Sequence, residues 1–343
     1  MRPIAHLAIF ILLGVGCSTT ETKQIDPDQE RKQQASEKLN SSLSLGSKYA
    51  VDGLYREAIT ELRKALKTDG ASVEAHRLLG IVYVKVGRYE RAIKHFETVI
   101  DNLANNFEAN YYLAEAYRTQ ERFGDAIFRY KIALTAQPKN VLATKALAWS
   151  YYKIRYYRAA LSTIKKLKNQ ENQDVQVTII YARVLNKMGA SRRALKIARA
   201  HLNTLSAEQK PYLLSVVGDI FLSQKNFKKA EEAYREALKD QPLLAGALLG
   251  LAKVLLEKGD RADIAISYLE RAARIKPGMI ESFYYLGKAH YKSRPNLAKK
   301  FYTKFLRQAA GDPEYSSLVE NARKKVSTFA TSGQKRTSKK PSL

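Results

Sequence analysis

The stretch Leu79-Gly80-Ile81-Val82-Tyr83, followed by Ala92 and Phe96, decides how this chain folds. Leu79, Val82, Tyr83 and Val86 recur at steps of three and four, and so do Ala92, Phe96 and Val99, which predicts two short amphipathic helices. Gly87-Arg88 between them is the turn. The small residues carry the tertiary information. Gly80 on the first helix and Ala92 on the second let two helix backbones approach at the near end of the usual interaxial range of about 8–10 Å.

The same pattern recurs along the chain. Ala58, Ala92, Ala126, Ala160, Ala194, Ala230, Ala265 and Ala298 follow one another at 34, 34, 34, 34, 36, 35 and 33 residues, each with an apolar or aromatic residue four places on, save Ala198 in the fifth copy. A second small-residue series, Gly46, Gly80, Ala114, Ala148, Ala182, Gly218, Ala252 and Gly287, keeps the same period. Two independent series with one period mark internal repetition. A single hairpin leaves an apolar face uncovered until its neighbour stacks on it, so the product is a solenoid with capped ends.

These residues resemble the tetratricopeptide repeat, whose Leu-Gly-x-x-Tyr, Ala-x-x-x-Phe, Ala and Pro pattern is met by Leu79-Gly80-x-x-Tyr83, Ala92 and Phe96. Ala133 with Pro138, Ala237 with Pro242 and Ala272 with Pro277 supply the closing elements in other copies. The resemblance implies an all-α fold: a right-handed α-solenoid of about eight helical hairpins over residues 39–311, with a C-terminal capping helix at 312–330. That cap would present Tyr315, Leu318, Val319, Ala322 and Val326 on one face. His201 replaces a small residue in copy five, and copy eight has lost a residue near Pro295, so the pattern is weakest there.

The chain has 343 residues, of which 45% are hydrophobic and 27% charged, which excludes a wholly disordered chain and a polytopic membrane protein. Lysine and arginine number 59 against 33 acids, a formal charge of +26 that favours an anionic partner. Arg2 precedes the apolar run Ile4–Val15, and Gly16 stands before Cys17, the only cysteine. This is the layout of a secretory signal, shorter than the roughly 20 apolar residues of a membrane span. Leu13-Gly14-Val15-Gly16-Cys17 resembles a bacterial lipoprotein signal, with Gly14 where a large aliphatic residue is usual. The resemblance implies cleavage after residue 16, lipidation of Cys17 as a palmitate-bearing anchor, and, with Ser18 next, delivery to the outer membrane facing the periplasm. Residues 17–38, polar and containing Pro27, are expected to form a flexible tether, and 331–343, with Lys335, Arg336, Lys339 and Lys340, a disordered basic tail.

No phosphate loop, His-Glu-x-x-His or nucleophile elbow is present, so no enzymatic activity, cofactor or metal is expected. The five histidines have no partner at helical spacing, and Tyr83, Tyr117, Tyr130, Tyr151 and Tyr234 fall on the repeat's own core positions.

In the repeat family the first helix of each copy lines the inner wall. Carried over, this places Arg77, Tyr111, Glu115, Arg118, Lys145, Trp149, Tyr152, Ile179, Arg183, Asn186, Tyr212, Tyr284 and Lys288 there, where a protein or peptide would bind. Trp149 reads either as an aromatic anchor for that partner or as packing against the next repeat. The chaperone-tail clamp of some family members is absent, because Ile81 follows Arg77 where an asparagine is needed. Arg155, Arg158, Lys165, Lys166, Lys168, Arg192, Arg193, Lys196, Lys228 and Lys229 fall on the outer face. The expectation is a lipid-anchored envelope scaffold, similar to the pilotins and pilus-biogenesis lipoproteins that assist a secretin. The alternatives are an envelope protein binding peptidoglycan or lipopolysaccharide by its basic face, and a cytoplasmic nucleic-acid binder, which no recognition module supports.

Overall fold

The computed structural model describes residues 26–167, 174–259 and 261–337. Among these every regular element is helical, and no strand is present. The chain divides into two compact units, residues 1–78 and 79–343, the boundary falling within a helix. The expected signal segment and Cys17 lie outside the described residues.

The first unit contains α1 (Pro27–Val51), α2 (Tyr55–Thr68) and the start of α3 (Val73–Lys85). The tether expected to extend to residue 38 is helical from Pro27 onward. Two misread signals explain the difference. Proline breaks a helix interior but suits its first position, where no N–H is needed, and Asp26 caps this one by accepting from the Asp28 amide at 3.1 Å. The Gln, Glu and Lys cluster that resembles linker composition consists of straight-chain residues with good helix propensity. α1 and α2 cross closely at Gly46, where an added Cβ would lie 2.6 Å from Leu62 Cγ.

The second unit continues the hairpins. After α4 (Tyr89–Asn102) come α5 (Phe107–Thr119) with α6 (Phe123–Ala136), α7 (Val141–Lys153) with α8 (Tyr157–Lys165), and α9 (Val175–Lys187) with α10 (Ser191–Leu202). Then follow α11 (Lys210–Ser223) with α12 (Phe227–Asp240), α13 (Ala245–Lys258) with α14 (Ala262–Ile275), and α15 (Glu281–His290) with α16 (Pro295–Gln308). Polar side chains set several starts: Asn106, Asn140 and Asn226 each accept from the amide three residues on, at 2.9–3.2 Å.

The two small-residue series do the packing expected of them. Phe96, Tyr130, Tyr234 and Tyr302 are essentially without solvent exposure. A Cβ on Gly80 would meet Phe96 at 2.7 Å, and one on Gly287 would meet Tyr302 at 2.8 Å. Only hydrogen fits in that gap. In the turns between paired helices, Gly53, Gly87, Gly189 and Gly259 take left-handed backbone, and in three further copies Glu121, Arg155 and Lys225 are held there despite their side chains.

Each helix of the second unit packs on its sequence neighbours from α4 to α17, and the first helices α7, α9, α11, α13 and α15 also touch one another in order. The second helices form no comparable series, so the first helices line the inside of the curve. A 3-10 turn (Pro313–Tyr315) leads into the cap α17 (Ser316–Thr337), which packs on α16 and buries Ala322 completely. This helix runs past residue 330, so the tail expected to be disordered from 331 is helical to Thr337. A charge-rich, serine-containing sequence can extend a helix that packing has already nucleated.

Candidate partner-binding groove

Three first helices, α5, α7 and α9, bound a cavity of about 380 Å³ in the second unit. Tyr111, Glu115 and Arg118 project from α5, Leu142, Lys145 and Trp149 from α7, and Gln176, Ile179 and Arg183 from α9. Thus seven of the residues expected on the inner wall, Tyr111, Glu115, Arg118, Lys145, Trp149, Ile179 and Arg183, are brought together.

Most of the charge in this wall is neutralised within the protein. Arg118 reaches the Glu115 carboxylate at 2.6 Å, and the other Glu115 oxygen accepts from the Tyr130 hydroxyl. Lys145 is ion-paired with Asp174, which also caps α9 through the Gln176 amide at 2.9 Å. Burial, reinforced by the Glu115 charge, pushes the Tyr111 hydroxyl up to about 12, so it remains a neutral donor at any physiological pH. Arg183 makes no ion pair among the described residues. Its guanidinium lies over the Trp149 ring, 5.8 Å from the centroid, and Tyr152 stacks on Trp149 at 5.1 Å. Trp149 therefore does both things the sequence allows: it packs against the neighbouring copy through Arg183, and it lines the cavity.

Deeper along the wall, Asp219 accepts from the Tyr234 hydroxyl at 2.7 Å. Burial raises its carboxyl, while nearby Arg183 opposes the shift. Lys253 is paired with Glu281 at 2.8 Å. The acidic partners went unread in the sequence, although a signal was there: Lys145 and Asp174, Lys253 and Glu281, and Lys288 and Glu257 stand 28–31 residues apart, about one repeat.

The other expected residues are placed differently. Arg77 belongs to the first unit, where Glu74 holds it at 2.6 Å. The Asn186 side-chain oxygen accepts from the Ser191 and Ser223 hydroxyls at 2.7 and 3.0 Å, so it fastens a turn to the next copy. Tyr212 is 40% exposed on α11. Tyr284 and Lys288 line a separate cavity of about 500 Å³ beside the cap, with Tyr284 donating to Asn321 at 3.0 Å and Lys288 paired with Glu257. The groove is also bridged. Glu314, just before α17, pairs with Lys153 at the end of α7 at 2.7 Å, across 161 residues. Among the described residues no group of three or more His, Cys, Asp and Glu side chains is placed to hold a metal.

Comparison with known proteins agrees with this architecture. A family model described as the tetratricopeptide repeat matches residues 78–141 and 218–280, and the all-helical hairpin architecture is an α-solenoid of that type. A tetratricopeptide repeat protein from Parabacteroides merdae has a crystal structure similar to this chain, with a TM-score of 0.66, 13% identity, and coverage of 74% of this chain and 99% of that one. A structure of the human IFIT1 dimer with PPP-AAAA aligns with a TM-score of 0.58 at 16% identity, covering 91% of this chain and 79% of that one. At such identities the likeness concerns the fold alone. Among curated proteins, the BBSome complex member BBS4 of Bos taurus is 22% identical over 256 residues, 74% of this chain. The chain spans 49% of that protein's length. Lipopolysaccharide assembly protein B of Escherichia coli is 20% identical over 278 residues, covering 79% of this chain and 71% of that protein.

Proposed function

We propose that the protein is a non-enzymatic scaffold that holds a protein partner on the inner wall of α5, α7 and α9. The observation that carries this reading is the Trp149 site. A half-buried indole sits in a cavity between Tyr152 and Arg183, surrounded by charges already neutralised by Glu115 and Asp174. A wall of this kind loses little by shedding water, and its aromatic and arginine groups are the types that dominate binding hot spots. The scaffold works in the bacterial envelope, lipid-anchored at Cys17 on the outer membrane and facing the periplasm, where it assists assembly of a secretin or type IV pilus machine. The sequence Leu13–Cys17 supports the anchor, and the likeness to a protein named for lipopolysaccharide assembly supports an envelope setting.

Affinity capture from detergent-solubilised envelopes tests the reading. A secretin or pilus component should be recovered with the wild type and lost with Trp149→Ala, while circular dichroism of the variant is unchanged. Equal recovery with the variant removes the groove from the account. Palmitate labelling tests the anchor separately: the label should enter the wild type and not Cys17→Ser.

A further inference from the structure

The charge of this protein is concentrated in one part of the solenoid. From Ala126 to Ala230 there are twenty lysines and arginines and four acids, Glu171, Asp174, Glu208 and Asp219. Two of those acids are committed on the inner wall, Asp174 to Lys145 and Asp219 to Tyr234. The second helices α8 and α10 contain no acid at all, and their lysines and arginines make no ion pair among the described residues. Arg158 and Lys165 on α8, and Arg192, Arg193 and Lys196 on α10, are all exposed. Both helices pack on α9, and neither belongs to the series of first helices that touch one another along the inner wall. Elsewhere α4 carries Glu90, Glu97 and Asp101, and α12 carries Glu231, Glu232 and Glu236; α16, with Lys299, Lys300, Lys304 and Arg307, is also free of acids, but the second helix before it, α14, carries Asp263 and Glu270. A surface charged only for solubility intersperses the two signs.

Aromatic exposure accompanies the charge. Tyr156, at the start of α8, is 63% exposed, and Phe128, on α6 beside Arg129, is 59% exposed. Exposed aromatic rings among unpaired cations fit the headgroup zone of a bilayer, which offers anionic phosphates to the cations and an interfacial layer to the rings. A single-stranded nucleic acid would call instead for a cleft with successive stacking rings, and this face is the convex side of two helices. We infer that the outer face formed by α8 and α10, with its flank on α6, docks on an anionic phospholipid bilayer. The surface is distinct from the inner groove and does not depend on a partner being held there.

The test uses the full chain carrying Cys17→Ser, which has no thiol to acylate, and sedimentation with vesicles of phosphatidylcholine alone or containing three parts in ten of phosphatidylglycerol. Binding should require phosphatidylglycerol and weaken steeply with salt. Each basic residue near such a surface contributes about five-fold in partitioning. Arg192→Gln/Arg193→Gln/Lys196→Gln should therefore weaken binding about a hundred-fold, with circular dichroism unchanged. Lys299→Gln/Lys300→Gln/Arg307→Gln, which removes the same charge from exposed positions on α16, should leave it within about two-fold. Equal binding to both vesicle types overturns the inference, and so does an equal loss in the α16 variant, which would show general charge and no docking face. Tighter binding to a short DNA duplex than to vesicles, abolished by the α10 variant, would assign the face to nucleic acid and overturn it as well.

Discussion

Gly218→Ala adds one methyl group at a tightly packed helix crossing of the second unit. Its Cβ would lie 2.5 Å from Cε1 and 2.8 Å from Cζ of Tyr234, distances that packed carbon atoms do not adopt. The ring has no room to retreat. Tyr234 is fully buried, its hydroxyl is held by Asp219 at 2.7 Å, and on the far side a Cβ on Gly250 of α13 would come 2.6 Å from that hydroxyl. Overpacking of this kind costs about 1–3 kcal/mol. The gain in helix propensity from glycine to alanine returns about 1 kcal/mol, so a net loss of about 0–2 kcal/mol is expected, about 1–3 kcal/mol below a glycine-to-alanine change made without a clash. Gly246→Ala is the control, because its Cβ would meet only Ser215 Oγ, at 3.5 Å, and it should be neutral or mildly stabilising. Urea unfolding followed by far-UV circular dichroism reads both. Gly218→Ala combined with Tyr234→Leu should cost less than the two changes made separately, since the shorter side chain vacates the clash. If Gly218→Ala is as stable as Gly246→Ala, stacking at this crossing is looser than described and the packing argument fails.

Lys225 is held at φ 58° in a turn where other copies use glycine, so Lys225→Gly should stabilise by about 0.5–1 kcal/mol in the same urea assay; a loss would show the side chain to be needed. His290 is 4% exposed, its Nδ1 has no hydrogen-bond partner, and burial, aided by Arg294, lowers its pKa below 6.5. A depressed histidine adds stability above pH 6.5 that is lost as pH falls through the folded-state value, so melting temperature should fall more between pH 7.5 and 5 in the wild type than in His290→Leu. Parallel curves for the two proteins would contradict this. Lys153→Glu and Glu314→Lys should each speed hydrogen exchange in the first turn of α17 by about two- to five-fold, the range of a partly exposed ion pair, and the double reversal should restore protection. Unchanged exchange in the single variants would show that the bridge to α7 does not hold the cap.

The hairpins were legible because close helix crossings admit few residue types. Gly80 against Phe96 and Gly287 against Tyr302 could be located from spacing alone, and the structure places each pair in contact. Boundaries were less legible. Pro27 looks like a breaker and is a helix start, and the polar run after it has the composition of a linker with the propensity of a helix. The left-handed turns at Glu121, Arg155 and Lys225 had no local signal, since only their register with Gly87 and Gly189 marks them. For the groove, the repeat register brought Tyr111, Arg118, Lys145, Trp149 and Arg183 to one cavity. It did not show that Glu115 and Asp174 already satisfy two of the three cations, because a single-helix reading omits acids supplied by the same face or the next copy. The Lys153–Glu314 bridge depends on the curvature accumulated over four copies, which no local pattern encodes.

A photocrosslinking amino acid placed in living cells at Gln176, on the cavity lining, and separately at Arg193, on the outer face, addresses the central claim most directly. The account predicts a discrete protein adduct from position 176 that disappears when Arg183→Glu is added, and no such adduct from position 193. Protein adducts from position 193 alone, or an adduct at 176 indifferent to Arg183→Glu, would contradict it.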